Sequence, residues 1–417
     1  MNAEEQLKTL NRLINHCKKA PFYRKRLPEQ PLQSFEDFYQ LPLITKEDLR
    51  ENSPFGLICV PQNELYQYHE SFGTTGTPVS VWLTREDFMA NAEEYAQLGV
   101  NLRPDDVVMV RFPYAISTIA HIVTAAAHLC EACVVPAGAR STVSPFPRVV
   151  DLLRKLRVTV LACLPIQVLL IAETAELMGF DPRADFPELR AICTAGEPLS
   201  PAKRKILTGI WGIPVYDNYG MTEIGAAVVD CEHGRPHPLD EYFLYEILRD
   251  DLKTHAGSGE IGFLVITTLR RNGTPLIRYL TGDRAQITEQ KCSCGKTGIL
   301  EVRGRIEHTI QVGTRRFDLW DLEEIAFQLS CRRFWVVGPV PDGLQFVIEN
   351  ESLTEVPPEL LKRLEEIYHL KIQAVIVPKG ALYDRDQLLS VGVVGKPQYI
   401  YSAQEMAERK YLKSTRI

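Results

Sequence analysis

The chain has 417 residues, too many for one ordinary core, and its 45% hydrophobic and 24% charged residues are the proportions of a water-soluble globular protein. A formal net charge of −6, with no segment rich in Lys or Arg, argues against nucleic acid as the main partner, because backbone phosphates demand a basic face.

Residues 1–19 are polar, with Leu7, Leu10, Leu13, Ile14 and Cys17 at helical spacing. That pattern predicts an amphipathic helix and lacks the apolar core of a signal peptide. The most apolar stretch, 115–139, is interrupted by His121, His128 and Glu131, which predicts buried helix and strand rather than a membrane span. Apolar, β-rich runs at 107–110, 132–136, 158–163 and 189–193 alternate with helical patterns at 148–156 and 166–178, the signature of crossover units on a largely parallel sheet. After Gly220 the texture changes to short strands at 242–248, 262–267 and 286–287, suited to a mixed or barrel-like sheet. From about Ile306 a smaller α+β unit follows, with helices at 319–329 and 358–368 and strands at 333–337, 344–349 and 372–377. The predicted fold is therefore α/β. A large N-terminal domain, 1–305, contains mixed and parallel sheets with helices and a barrel-like subdomain. A small α+β domain, 306–417, follows; its boundary rests partly on this texture and partly on the family resemblance given below, which alone implies that the domain is mobile. Ten cysteines without a secretory leader fit a reducing cytoplasm, where thiols stay free or bind metal.

Three segments carry chemistry. Ser71-Phe72-Gly73-Thr74-Thr75-Gly76-Thr77-Pro78 sets two hydroxyl residues between glycines, so the backbone can curl its N–H groups inward around phosphate oxygens. Taken alone, such a turn is more often an ordinary loop, and it lacks the Gly-Lys-Ser/Thr end of a P-loop. In Asn218-Tyr219-Gly220-Met221-Thr222-Glu223, a Glu beside a Thr hydroxyl offers the oxygen ligands that Mg²⁺ requires. In Thr281-Gly282-Asp283, an Asp at a strand end can accept hydrogen bonds from ribose hydroxyls. Singly, the last two read as a helix start and a simple turn. Cys231-x₅-His237 and Cys292-x-Cys294 supply three thiols and an imidazole, a set suited to structural zinc, with His233 as a rival ligand and free thiols as the alternative.

The ordered set SFGTTGTP, TAGEP, YDNYGMTE, TGD and GRIEHTIQVG resembles the adenylate-forming ligases, which make an acyl-AMP and pass the acyl group to a thiol or amine. APFYR at 20–24, LPLITKEDLR at 41–50, PFG at 54–56, IRY at 277–279 and CSCGKT at 292–297 are similar to the phenylacetate–CoA ligase-like branch. The resemblance runs from about residue 20 to residue 313 and thins beyond. It implies that Thr74, Thr75 and Gly76 contact ATP phosphates, that Ala195, Gly196 and Glu197 line the adenine with Tyr216, Asp217, Asn218 and Tyr219, and that Gly220 and Met221 also belong to the nucleotide site. It implies further that Thr222 and Glu223 serve the α-phosphate and Mg²⁺, Asp283 the ribose, and Arg305 the ribose or phosphates. Glu307 matches the acidic hinge of the small domain. Lys396, in LLSVGVVGK, matches the segment that delivers a catalytic lysine, whose charge would stabilise oxygens during attack; a solvated surface lysine is the alternative. Tyr114 falls where the family places a gate over the acyl pocket, with core packing as the competing reading. His121 is grouped with that pocket, although a satisfied core histidine is its blander reading. Phe72 and Thr77 depart from the family loop, which carries a Ser and a Lys there.

The resemblance implies an ATP- and Mg²⁺-dependent enzyme acting on a carboxylic acid, aryl or arylacetic by analogy, with coenzyme A or a carrier-protein phosphopantetheine as acceptor. It implies no membrane or nucleic-acid partner and leaves a homodimer open. The rivals are an amide- or ester-forming ligase and a nucleotide-binding homologue without turnover.

Overall fold

The apolar positions of the N-terminus lie on one face of helix α1 (Ala3–Cys17), burying Leu10, Leu13, Ile14 and Cys17. The computed structural model describes residues 3–71, 77–383, 385 and 398–412. Within it the chain divides into two compact units, Met1–Pro136 with Tyr216–Val302, and Ala137–Val215 with Arg303–Ile417.

In the first unit, α2 (Phe35–Tyr39) and α3 (Lys46–Glu51) each open on a reciprocal capping box, Ser34 with Asp37 and Thr45 with Asp48. Strands β1 (Leu65–Glu70) and β2 (Ser80–Thr84) pair antiparallel, and β2 runs into α4 (Arg85–Ala96), capped by Thr84 and Asp87. Strands β3 (Val107–Val110) and β4 (Cys133–Val135) pair in parallel across α5 (Ile119–Leu129), as the alternation predicts. The apolar stretch 115–139 is thus helix and strand, and no helix among the described residues is long and apolar enough to cross a membrane.

The second unit begins with α6 (Phe146–Lys155), then β5 (Val160–Cys163), α7 (Pro165–Leu177) and β6 (Ala191–Ala195), with β5 and β6 parallel. Residues 165–175 of α7 are all buried, because a helix apolar on every side must be covered on every side. Helix α8 (Pro201–Trp211) starts at the Ser200 cap and stops at Gly212, whose φ of 72° is the left-handed conformation that ends helices.

Strand β7 (Val215–Met221) returns the chain to the first unit, where β8 (Gly225–Asp230) and β9 (Pro236–Pro238) follow it antiparallel. Next come β10 (Phe243–Leu248), β11 (Gly262–Thr268), β12 (Tyr279–Lys291) and β13 (Thr297–Arg305), a four-stranded sheet in chain order. Sequence texture suggested a barrel. The sheet is open, with β10 and β13 as its edges, because four strands are too few to close without overcrowding the interior. Buried Arg278, in the IRY segment, forks onto Glu246 at 2.9 and 3.0 Å and donates to the carbonyls of Tyr39 and Leu41, fastening the N-terminal loop to this sheet.

The remainder of the second unit holds β14 (Ile310–Val312) paired with β15 (Arg315–Phe317), α9 (Leu319–Gln328), α10 (Pro358–Tyr368), and a sheet of β16 (Trp335–Val340), β17 (Gly343–Glu349) and β18 (Lys371–Val377). A last short helix spans Ala403–Ala407. One apolar cluster here gathers described residues between Ile310 and Ile400, among them Leu322, Trp335, Phe346 and Leu364.

Candidate functional site

In the first unit, the segment 218–223 is strand and turn rather than a helix start. Tyr219 pairs with Val228, the register shifts at Gly220, and Met221 faces Gly225, so Thr222 and Glu223 occupy the tip of a hairpin. Two glycines make that tip feasible. A Cβ on Gly220 would lie 2.3 Å from the Gly225 carbonyl oxygen, and Gly225, at φ 87°, would place one 2.4 Å from Asn91 Oδ1. Beneath the tip, Arg271 donates to Asn91 Oδ1 (2.8 Å) and to the Ile224 carbonyl (2.5 Å), while the Ala226 N–H donates to Glu94 (3.2 Å). Burial pushes Glu94 up to about 8, against the pull of the Arg271 guanidinium.

Glu223 is buried, and Lys46 Nζ stands 3.4 Å from its Oε1. Sequence reasoning missed Lys46. The capping box Thr45–Asp48 fixes the start of its helix, and the Ile44 N–H donates to the Arg278 carbonyl, two residues before Leu280 donates back to Ile44. One turn further along α3, Arg50 Nε donates to the Thr77 carbonyl at 3.1 Å.

Asp283 does not end a strand. It sits inside β12, where the register slips between the Val265–Leu280 and Phe263–Arg284 pairs, so Thr281, Gly282 and Asp283 all face Leu264. This bulge, with Gly282 at φ 80°, lifts Asp283 out of the ladder. The Thr281 hydroxyl ties the bulge to the Leu264 carbonyl (2.9 Å), and Tyr219 donates its hydroxyl to Asp283 Oδ2 at 2.7 Å. Asn218 is buried along β7 with its amide 3.4 Å from the Val228 carbonyl, and the Asp217 N–H donates to Asp230. Tyr216 lies half-buried at the start of the same strand.

Tyr114 and His121 come together, their rings 5.5 Å apart and edge to face, with His121 Nε2 3.0 Å from the Tyr114 carbonyl. The Tyr114 hydroxyl meets Thr124 at 2.9 Å, and burial raises its pKa. His69, buried and lowered in pKa by that burial, stands 5.5 Å from His121 and completes an aromatic group with no sequence signal.

In the second unit, Ala195 ends β6, Gly196 turns at φ 83°, and Glu197 Oε2 accepts from the Ile166 N–H (3.4 Å) at the start of α7, where the helix dipole favours an anion. A Cβ on Gly304 would lie 3.4 Å from Pro198, so the TAGEP and GRIE segments are neighbours there. Arg303, not singled out by sequence, forks onto Asp318 and Asp321 at the start of α9. Arg305 reaches Glu307 at 3.5 Å, and Glu307 is exposed on a 3₁₀ turn, Ile306–His308. Thr74, Thr75, Gly76 and Lys396 lie outside the described residues.

Cys231, His237, Cys292 and Cys294 converge, with their donor atoms all within 4.8 Å of one another. Cys231 Sγ and Cys292 Sγ are 3.8 Å apart, and Cys294 Sγ is 3.4 Å from His237 Nε2. Tetrahedral bonds of about 2.3 Å to sulfur and about 2.0 Å to nitrogen imply edges of roughly 3.8 and 3.5 Å, so the donors fit zinc. His237 Nδ1 lies 2.7 Å from the Gly298 carbonyl, which orients Nε2 toward the thiols. The Cys294 N–H, with the neighbouring donors, pulls the Cys292 thiol down to about 6, whereas burial pushes Cys231 up to about 11. The rival ligand His233 is outside the cluster, half exposed beside Glu232.

Residues 67–264 match the family of AMP-binding enzymes. The chain is 32% identical to phenylacetate–coenzyme A ligase of Thermus thermophilus, over 90% of this chain and 92% of that protein. It is 29% identical to phenylacetate–coenzyme A ligase of Pseudomonas putida, over 68% and 66% of the two chains. Its fold superposes on 2-hydroxyisobutyryl-CoA ligase in the postadenylation state with a TM-score of 0.85 at 23% identity, covering 98% of this chain and 92% of that one. With the motif residues held as described, the chain belongs to the adenylate-forming superfamily, in its phenylacetate–CoA ligase-like branch of AMP-forming carboxylate ligases.

Proposed function

We propose that the chain converts a carboxylic acid and MgATP to an acyl-AMP and passes the acyl group to the thiol of coenzyme A. The observation that carries this reading is the joining, within one unit, of the Thr222–Glu223 hairpin tip to Lys46 and of Tyr219 to the Asp283 bulge. A carboxylate oxygen attacks the α-phosphorus in line, forming an O–P bond as the bond to pyrophosphate breaks. The thiol sulfur then bonds to the acyl carbon, AMP leaves, and the thiol proton passes to water.

In this reading Thr74, Thr75 and Gly76 cradle the phosphates. Ala195–Glu197 and Tyr216–Tyr219 line the adenine, Gly220 and Met221 also bind the nucleotide, Asp283 accepts from the ribose hydroxyls, and Arg305 meets the ribose or phosphates. Thr222 and Glu223 hold the α-phosphate and Mg²⁺, and the metal, when bound, neutralises phosphate charge. Lys46 supplies the cation that Thr77 removes from the phosphate loop. Lys396 stabilises the charge that builds during attack. Residues 1–305 hold nucleotide and acid, while 306–417 turn about Glu307 between the half-reactions. The acid is aryl or arylacetic, received beside Tyr114 and His121. A carrier-protein phosphopantetheine is the second acceptor to assay. One Zn²⁺ on Cys231, His237, Cys292 and Cys294 pins the turn between β12 and β13 to the loop after β8 and takes no part in the chemistry. None of the ten cysteines is in a disulfide, and we assign the chain to the reducing cytoplasm, where thiols stay reduced or bind metal.

Pyrophosphate release measured across a panel of aryl, arylacetic and short hydroxy acids tests the reading. Release that depends on an arylacetic or aryl acid, followed by CoA thioester formation, is expected. Absence of acid-dependent release across the panel removes the proposal.

A further inference from the structure

The second unit contains a buried ionic group that the chemistry above does not use. Lys203, in the first turn of α8, places Nζ 2.5 Å from Glu323 Oε1 of α9, and the two side chains are 1% and 0% exposed. The Ser200 hydroxyl, which caps α8 by accepting the Lys203 N–H (3.0 Å), donates to the other Glu323 oxygen at 2.6 Å. Lys203 also donates to the Tyr399 hydroxyl at 3.1 Å, and Tyr399 stacks on Trp335 at 4.9 Å. The group therefore ties the helix after the TAGEP segment to two separate pieces of the region beyond residue 306.

Two features say what this tie is for. Among the described residues, a large apolar cluster of that region, with Leu322, Trp335, Phe346 and Leu364, is built from residues of 310–400 alone. A further tie of the same kind is ionic as well: Arg385 Nε bonds Glu173 of α7 at 2.6 Å while its Nη2 bonds Glu349 at 2.6 Å. Both ties, to α8 through Lys203 and to α7 through Glu173, are made by charged side chains. The ions regain hydration on separation, which offsets the lost attraction; an apolar contact has no such compensation.

We propose that Lys203 and Glu323, with Ser200 and Tyr399, form a releasable clasp that holds residues 306–417 on α8 during adenylation and lets go for transfer to the thiol. This inference rests on the two-step reading above. Lys203 and Glu323 are positioning residues, and they touch no reacting atom.

The test compares Lys203→Met, Glu323→Gln and the double variant Lys203→Met/Glu323→Leu with wild type. The half-reactions are read separately, as acid-dependent ATP–pyrophosphate exchange and as thioester formation from supplied acyl-AMP. Lys203→Met strands a buried carboxylate and is expected to lower exchange tenfold or more while sparing thioester formation; Glu323→Gln, which keeps the shape, lowers exchange less. The double variant replaces the clasp with apolar contact. It is expected to restore exchange to within threefold of wild type and to lower thioester formation tenfold or more. Amide hydrogen exchange in α9 gives a readout independent of activity, rising at least tenfold in Lys203→Met and returning to wild type or below in the double variant. Equal loss of both half-reactions in the single variant, or wild-type thioester formation in the double, overturns the clasp. Unchanged α9 exchange in Lys203→Met overturns it even if the protein activates no acid, so its failure is distinct from failure of the two-step reading.

Discussion

Replacing Lys46 with Met tests the part of the site that sequence did not reveal. The ammonium lies 3.4 Å from Glu223 Oε1, with side chains 20% and 3% exposed. At an effective dielectric of about 20, unit charges at that distance attract by roughly 5 kcal/mol, and desolvation takes back a large part of it. The expected loss is the one seen when a preorganised charge or donor is removed from developing negative charge, about 10²–10³-fold in kcat/KM for ATP, or about 3–4 kcal/mol. Met keeps the length and apolar stem, so folding is expected to change little. The assay is acid-dependent pyrophosphate release at several Mg²⁺ concentrations, alongside thioester formation from supplied acyl-AMP. The rate falls while the Mg²⁺ concentration for half-maximal rate stays or drops, because Glu223 no longer faces a competing cation. The supplied-adenylate reaction is spared, since no pyrophosphate charge develops in it. Pyrophosphate release within threefold of wild type, or equal loss of both half-reactions, refutes the argument.

Glu223→Gln is expected to lower pyrophosphate release far more than it lowers the unfolding midpoint, because in the proposed reading it removes a charged Mg²⁺ ligand without opening a cavity; an unchanged rate removes Glu223 from the site. Protein purified without added metal is expected to carry one zinc per chain by elemental analysis, and changing Cys292 and Cys294 together to Ser to abolish it; no substantial zinc in wild type ends that assignment. Glu94, raised to about 8, keeps in the folded state a proton that the unfolded chain releases near pH 4.5. Wild type should therefore lose stability relative to Glu94→Gln as pH climbs from about 5 to 8, by at most about 1.4 kcal/mol per pH unit, read from denaturant unfolding at both ends; parallel stability curves exclude the shift.

Much of this protein is written locally. The period of Leu10, Leu13, Ile14 and Cys17 determines α1, and Thr45 with Asp48 or Asp318 with Asp321 determines where α3 and α9 begin. Each signal acts within a turn or two of chain, and no tertiary partner is needed to state it. The TGD and YGMTE segments were legible as motifs for the same reason, because their residue types announce oxygen ligands. Their conformations were not. Whether TGD is a turn or a bulge depends on Leu264 in the neighbouring strand, and whether YGMTE opens a helix or closes a hairpin depends on its pairing with β8. The four zinc-type donors could be named from their spacing, but their meeting required the β12–β13 turn to reach the loop after β8. Lys46 beside Glu223 and Lys203 beside Glu323 join residues more than a hundred positions apart, and although Lys46 lies in the family-like LPLITKEDLR segment, nothing in either lysine's local sequence names its acidic partner. Only burial makes such a pair specific. In water two charges at these distances are screened and interchangeable, whereas inside the protein each must have the one partner that the packing brings to it.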